Sequence, residues 1–154
     1  MQQPISSSAF DEPIASRFGY ILRRASATMM LHLGRQLAEL GFRPVDATIL
    51  IQVKAHPGFS QSDIGRQLDI QRANMAPLIA GLIKRGLLEK TRINGRSQGL
   101  SLTADGERLC AQAEAIIDEH EKYFAARLNG FEVDMQAVRE ALIRIASDRD
   151  DAVD

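Results

Sequence analysis

Residues 59–106, FSQSDIGRQLDIQRANMAPLIAGLIKRGLLEKTRINGRSQGLSLTADG, constrain the fold more than any other stretch of the chain. Ser60 and Asp63 form an S-x-x-D approximation to a capping box, which satisfies free backbone N–H groups at a helix start. The short helix that follows turns Ile64 and Leu68 inward, and Asp69-Ile70-Gln71 make a tight turn. A second helix runs from about Arg72 to Arg85, with Leu78, Ile79, Leu82 and Ile83 as its buried stripe. Pro77, just past its first turn, predicts an irregular start, and Gly86 ends the helix. Leu88–Arg92 and Gly99–Leu102 then read as two short strands around Asn94-Gly95, two residues that tolerate positive φ in a hairpin turn. Helix, turn, helix and basic hairpin in that order are what a winged helix-turn-helix needs to enter a DNA major groove and reach beside it.

The flanks read as apparatus for pairing two such readers. Residues 1–12 are polar and aperiodic, a mobile arm. From Pro13, Ile14, Phe18, Ile21, Leu22, Ala25, Met29, Leu33, Leu37 and Leu40 recur at helical spacing until Gly41. That predicts a helix about 40 Å long at 1.5 Å per residue, more than a small core needs. Gly19 and Gly34 inside it suggest close crossings or a bend. Pro44 opens a second helix that buries Val45, Ile49, Leu50 and Val53 and stops at His56-Pro57-Gly58. After the hairpin, Thr103 caps a long helix through Leu128, with Leu109, Ala113, Ile116, Ile117, His120, Phe124 and Leu128 on one face. Phe131, Met135, Val138, Leu142 and Ile145 form a heptad-like seam on a last helix. The expected fold is mainly α: a winged helix-turn-helix with long N- and C-terminal dimerisation helices, about six helices and a two- to three-stranded β-wing. One domain would hold a dimerisation helix (13–43), the winged helix-turn-helix (44–103), dimerisation helices (104–147) and an acidic tail (148–154).

Charge separates along these lines. The formal net charge is −1, but Ser60–Thr103 carries seven bases against three acids, a net of +4, leaving 12 bases against 17 acids, a net of −5, elsewhere. A basic module on an acidic carrier is the footprint of a DNA-binding segment. Gln71, Arg72, Asn74 and Met75 lie on the exposed first turn of the predicted recognition helix. Arg pairs bidentately with guanine, and Asn or Gln with adenine. Ser60 and Gln61 at the preceding helix start, Lys90 and Arg92 on the wing stem, and Arg96 and Ser97 in the hairpin loop complete the candidate DNA surface.

The run IGRQLDIQRANMAPLIAGLIKRGLLEKTRINGRSQGLSLTADG resembles the MarR family of bacterial transcriptional regulators. The resemblance rests on an I-x-x-x-L helix, a polar recognition turn, L-I-x-x-L-x-x-x-G-L-L, a basic wing, and L-T-x-x-G leading into a long helix. With the flanking layout it covers about Ile14 to Ser147. It implies a homodimer placing two recognition helices in successive major grooves of a pseudo-palindromic operator, about 34 Å apart. It also implies a repressor released by a small effector held between the dimer helices and the DNA lobe, an aromatic acid or acyl-CoA. Tyr20, Arg24, His32, Arg43 and His56 are the candidate contacts. The chain departs from the family where an acid-x-arginine pair usually braces the wing: it has Asn94-Gly95-Arg96.

Two other readings remain open, a redox-responsive regulator acting through Cys110 and a helical adaptor that does not bind DNA. The single cysteine excludes an intrachain disulfide. Three scattered histidines and the absence of H-E-x-x-H, G-x-S-x-G and phosphate-loop motifs give no catalytic residue, metal site or cofactor. With no apolar run near the roughly 20 residues of a membrane span and no secretory pattern, the expected setting is the cytoplasm.

Overall fold

The computed structural model describes residues 13–94 and 97–147. The predicted arm (1–12), tail (148–154) and wing-tip residue Arg96 lie outside them. The described residues form two compact units, one up to His120 and one from Glu121.

In the first unit, α1 spans Phe18–Leu37 and ends in a 3-10 turn, Ala38–Leu40. The helix is thus shorter than its apolar pattern predicts. Pro13–Ser16 form a turn instead, and Arg17, in an extended conformation, is the N-cap residue with no side-chain capping bond. Gly41, at φ 69°, closes the helix and turns Phe42 into the core. Of the two interior glycines, Gly34 faces Pro44, whose ring would lie 3.8 Å from an added Cβ, an ordinary contact, whereas a Cβ on Gly19 would point into open space.

Helix α2 spans Pro44–Ala55. Its first turn is held by Asp46, which accepts from the Arg43 backbone N–H (2.9 Å) and from the Arg43 guanidinium (3.0 and 2.8 Å). Helix α3 spans Gln61–Gln67, with the predicted Ser60–Asp63 capping box in place. Asp69, at φ 54°, makes the reversal, and the Ile70 N–H closes onto Gly65 O at 2.9 Å. Helix α4, Arg72–Lys84, then runs unbroken through Pro77. The proline removes one N–H, but Met75, Ile79 and Leu82 are anchored in the core on both sides of it, so the expected irregularity is absent.

Strands β1 (Leu88–Asn94) and β2 (Ser97–Leu102) pair antiparallel, from Leu88 opposite Leu102 to Asn94 opposite Ser97. The strands are longer than predicted: Asn94 belongs to β1 and Ser97 to β2, with an irregularity between Arg92 and Asn94. Two backbone bonds, Gly58 N–H to Leu100 O and Leu100 N–H to Phe59 O, both 2.9 Å, add a vestigial third strand. Helix α5 runs Ala104–Ala126.

The core gathers Leu33, Leu37, Phe42, Ile49, Leu50, Val53, Ile64, Met75, Ile79, Leu82, Leu87, Leu88, Leu100 and Cys110. Full burial of one such leucine or isoleucine contributes about 1.5–3 kcal/mol, so this cluster holds α3 and α4 in fixed relation.

In the second unit, Asp134 Oδ1 caps α6 (Met135–Ser147) through the N–H groups of Gln136 and Ala137, at 2.9 and 3.1 Å. Phe131 precedes the helix rather than belonging to it. The seam residues Met135, Val138, Leu142 and Ile145 are exposed. Among the described residues no helix is long and apolar enough to cross a membrane.

Candidate nucleic-acid interface

The outward face of α4 is built by what its inward face buries. Met75, Ile79 and Leu82 recur at spacings of four and three and point into the core. This corrects the expectation that Met75 contacts DNA: it continues the buried stripe one turn earlier and packs against α3 at Gly65, whose missing Cβ would lie 3.8 Å from the Met75 side chain. Gln71, Arg72 and Asn74 are left exposed on the first turn. Gln71 is the N-cap residue, yet its side chain makes no capping bond. Among the described residues none of the three side chains is engaged in a hydrogen bond or ion pair.

Beside them the face is small: Ala73, Ala76, Pro77 and Ala80 are exposed. Sequence reasoning passed over these alanines because their signal is negative. A face without bulk lets a helix backbone approach a groove, and alanine methyls suit the thymine methyl.

The remaining candidates divide. Ser60 is committed to α3: its hydroxyl donates to Asp63 Oδ2 (2.6 Å) and accepts from the Asp63 N–H (3.2 Å). These bonds, the backbone N–H of Ser60 and Arg66 hold the Asp63 carboxyl below its ordinary range. Gln61 and Lys90 border a hollow of about 470 Å³ with Lys84, floored by Ala76, Ile79, Ala80 and Ile83. Arg92 is exposed on β1. Ser97 lies in β2 by its backbone.

The candidate effector residues do not converge. Tyr20 on α1 carries the Arg23 and Arg24 guanidinium groups 5.3 and 5.8 Å from its ring centre. His32 meets His120, a residue the sequence had placed only on an apolar face, with Nδ1 atoms 3.0 Å apart. A contact of that length needs a proton on one nitrogen and a lone pair on the other. Arg43 is spent on Asp46. There, burial works to raise the Asp46 carboxyl, but the Arg43 bonds and charge, with Arg85 beyond, outweigh it and hold the group below its usual range. Arg85 itself lies 4.8 Å from the centre of the Phe42 ring. His56 stacks on Phe59 at 4.7 Å. Cys110 is fully buried, and burial, then the charge of Glu114, pushes its thiol up to about 11.

Comparison with known proteins places this geometry. The family model for the MarR family matches residues 40–96. The PcaV transcriptional regulator of Streptomyces coelicolor is 30% identical, with 84% of this chain and 94% of PcaV covered and a TM-score of 0.66. The chain belongs to the MarR family. The chain is also similar to two transcriptional repressors. The HTH-type transcriptional repressor Rv2887 of Mycobacterium tuberculosis (strain ATCC 25618 / H37Rv) is 27% identical over 112 residues, 71% of this chain and 81% of the repressor. The transcriptional repressor CouR bound to p-coumaroyl-CoA is 26% identical, with a TM-score of 0.79 over 90% of this chain and 98% of CouR. CouR has also been solved on a 23-mer DNA duplex. The family's winged helix-turn-helix architecture is the one described above, with a two-stranded wing.

Proposed function

We propose that this protein is a homodimeric, cytoplasmic transcriptional repressor whose paired α4 helices read a pseudo-palindromic operator, and that it performs no catalysis. The observation that carries this reading is the exposed, unengaged set Gln71, Arg72 and Asn74 on a flat alanine-lined face, backed by a rigid core. Arg72 pairs with a guanine, Asn74 and Gln71 with adenines, while Gln61, Lys90, Arg92, Arg96 and Ser97 hold phosphates. The exposed apolar residues Phe18 and Ile21 on α1, and Met135, Val138, Leu142 and Ile145 on α6, pair two chains.

An organic anion releases the DNA. Tyr20, Arg24 and His32 follow one another along α1, and Tyr20 to His32 spans about 18 Å of helix axis. That is longer than an aromatic acid and within reach of its CoA thioester. The similarity to CouR, solved with p-coumaroyl-CoA, supports the thioester. Selecting duplexes from a random pool with the purified protein tests the reading: one two-fold symmetric consensus, released by p-coumaroyl-CoA more readily than by p-coumarate, is the expected result. Failure to enrich any sequence contradicts it.

A further inference from the structure

The end of the recognition helix is bolted to the start of α5 across the base of the wing. Chain connectivity between the two helices runs out along β1 and back along β2, yet a cluster of backbone and hydroxyl contacts bridges them directly. Gly86, at φ 71°, ends α4, with its N–H on Ile83 O (2.9 Å) and the Leu87 N–H on Leu82 O (3.0 Å). The Thr103 hydroxyl donates to Gly86 O at 2.6 Å and accepts from the Gly106 N–H at 3.0 Å. Its backbone N–H reaches Leu87 O at 3.2 Å. A Cβ on Gly106 would lie 2.1 Å from that same Leu87 oxygen, so no side chain fits there and α5 approaches to backbone contact.

A threonine used only as a helix cap would have its hydroxyl proton directed anywhere. Here the proton is spent on the Gly86 carbonyl, just past the end of the neighbouring helix, and the lone pair on the cap. We infer that Thr103 is a positioning residue for DNA recognition: it fixes the angle between the recognition helix and α5, and so the separation at which a dimer presents its two readers. This rests on the dimeric, DNA-binding reading above. One lobe reads one half-site without this joint; two lobes on a rigid duplex need it, because half-site spacing is a geometric requirement.

The experiment compares wild type, Thr103→Ser (hydroxyl kept) and Thr103→Val (same shape, no hydroxyl) on duplexes selected by the wild type. Each is titrated with a full operator, a single half-site, and operators with one base pair inserted or removed at the centre. Thr103→Val should lose about tenfold on the full operator, stay within about twofold on the half-site, and flatten the spacing preference; Thr103→Ser should behave as wild type. The full-to-half-site ratio is insensitive to a reduced folded fraction. A wild-type ratio and spacing preference in Thr103→Val overturns the inference, as does equal loss on both duplexes. Failure of the wild type to bind any duplex instead overturns the DNA-binding reading itself.

Discussion

Asn74 and Met75 are sequence neighbours with opposite settings, one exposed on the first turn of α4 and one in the core. Asn74→Ala or Arg72→Ala should cost about 1–3 kcal/mol on the selected operator and relax preference at one base position each, measured by competition with singly substituted duplexes. Equal loss on all sequences would reassign the residue to a phosphate. Helical spacing alone could have placed Met75, since it precedes Ile79 by four; the polar company of the first turn obscured it. Arg43 was similarly misleading: its charge was legible, but not the buried Asp46 that consumes it. Asp46 has a folded pKa below its unfolded value near 3.9. Its contribution to stability is therefore present above about pH 4 and disappears as pH falls through the folded pKa. Asp46→Asn should lower the urea midpoint at pH 7, by about 1–3 kcal/mol in stability, and should reduce the further loss on acidification below pH 4. Cys110, with its thiol near 11, is about one part in ten thousand thiolate at pH 7. Hydrogen peroxide should leave DNA binding unchanged, as shift assays before and after treatment would show.

At the scale of elements, the heptad-like seam of α6 stands open, with Val138, Leu142 and Ile145 at 40%, 38% and 54% exposure. Ile145→Glu therefore costs little in a single chain but places an unpaired charge in a two-chain interface. It should leave the helical signal intact, shift sedimentation toward the monomer, and weaken operator binding by at least about tenfold. An unchanged dimer would remove α6 from the interface. The helix order, the Ser60–Asp63 cap, the Gly86 stop and the hairpin were legible because each depends on local residue chemistry. Boundaries were not: α1 starts at Phe18 rather than near Pro13, because Pro13–Ser16 fold into a turn that the apolar spacing does not reveal. The α4–α5 joint was invisible too, since Thr103 reads as a cap and Gly106 as any glycine until Leu87 O is placed 2.1 Å from the missing Cβ.

For the whole molecule, a net charge of +4 on the reading segment against −5 elsewhere leaves modest affinity for one lobe and makes pairing decisive. Both the proposed effector contacts on α1 and the proposed Thr103 joint would act on geometry between lobes rather than on base contacts. The most direct test is binding of the selected operator between 50 and 200 mM salt, with the protein's stoichiometry measured on the same samples. The account predicts two chains per duplex and an affinity that falls by about 10³-fold or more over that range as phosphate contacts are screened. One chain per duplex, or an affinity indifferent to salt, would contradict it.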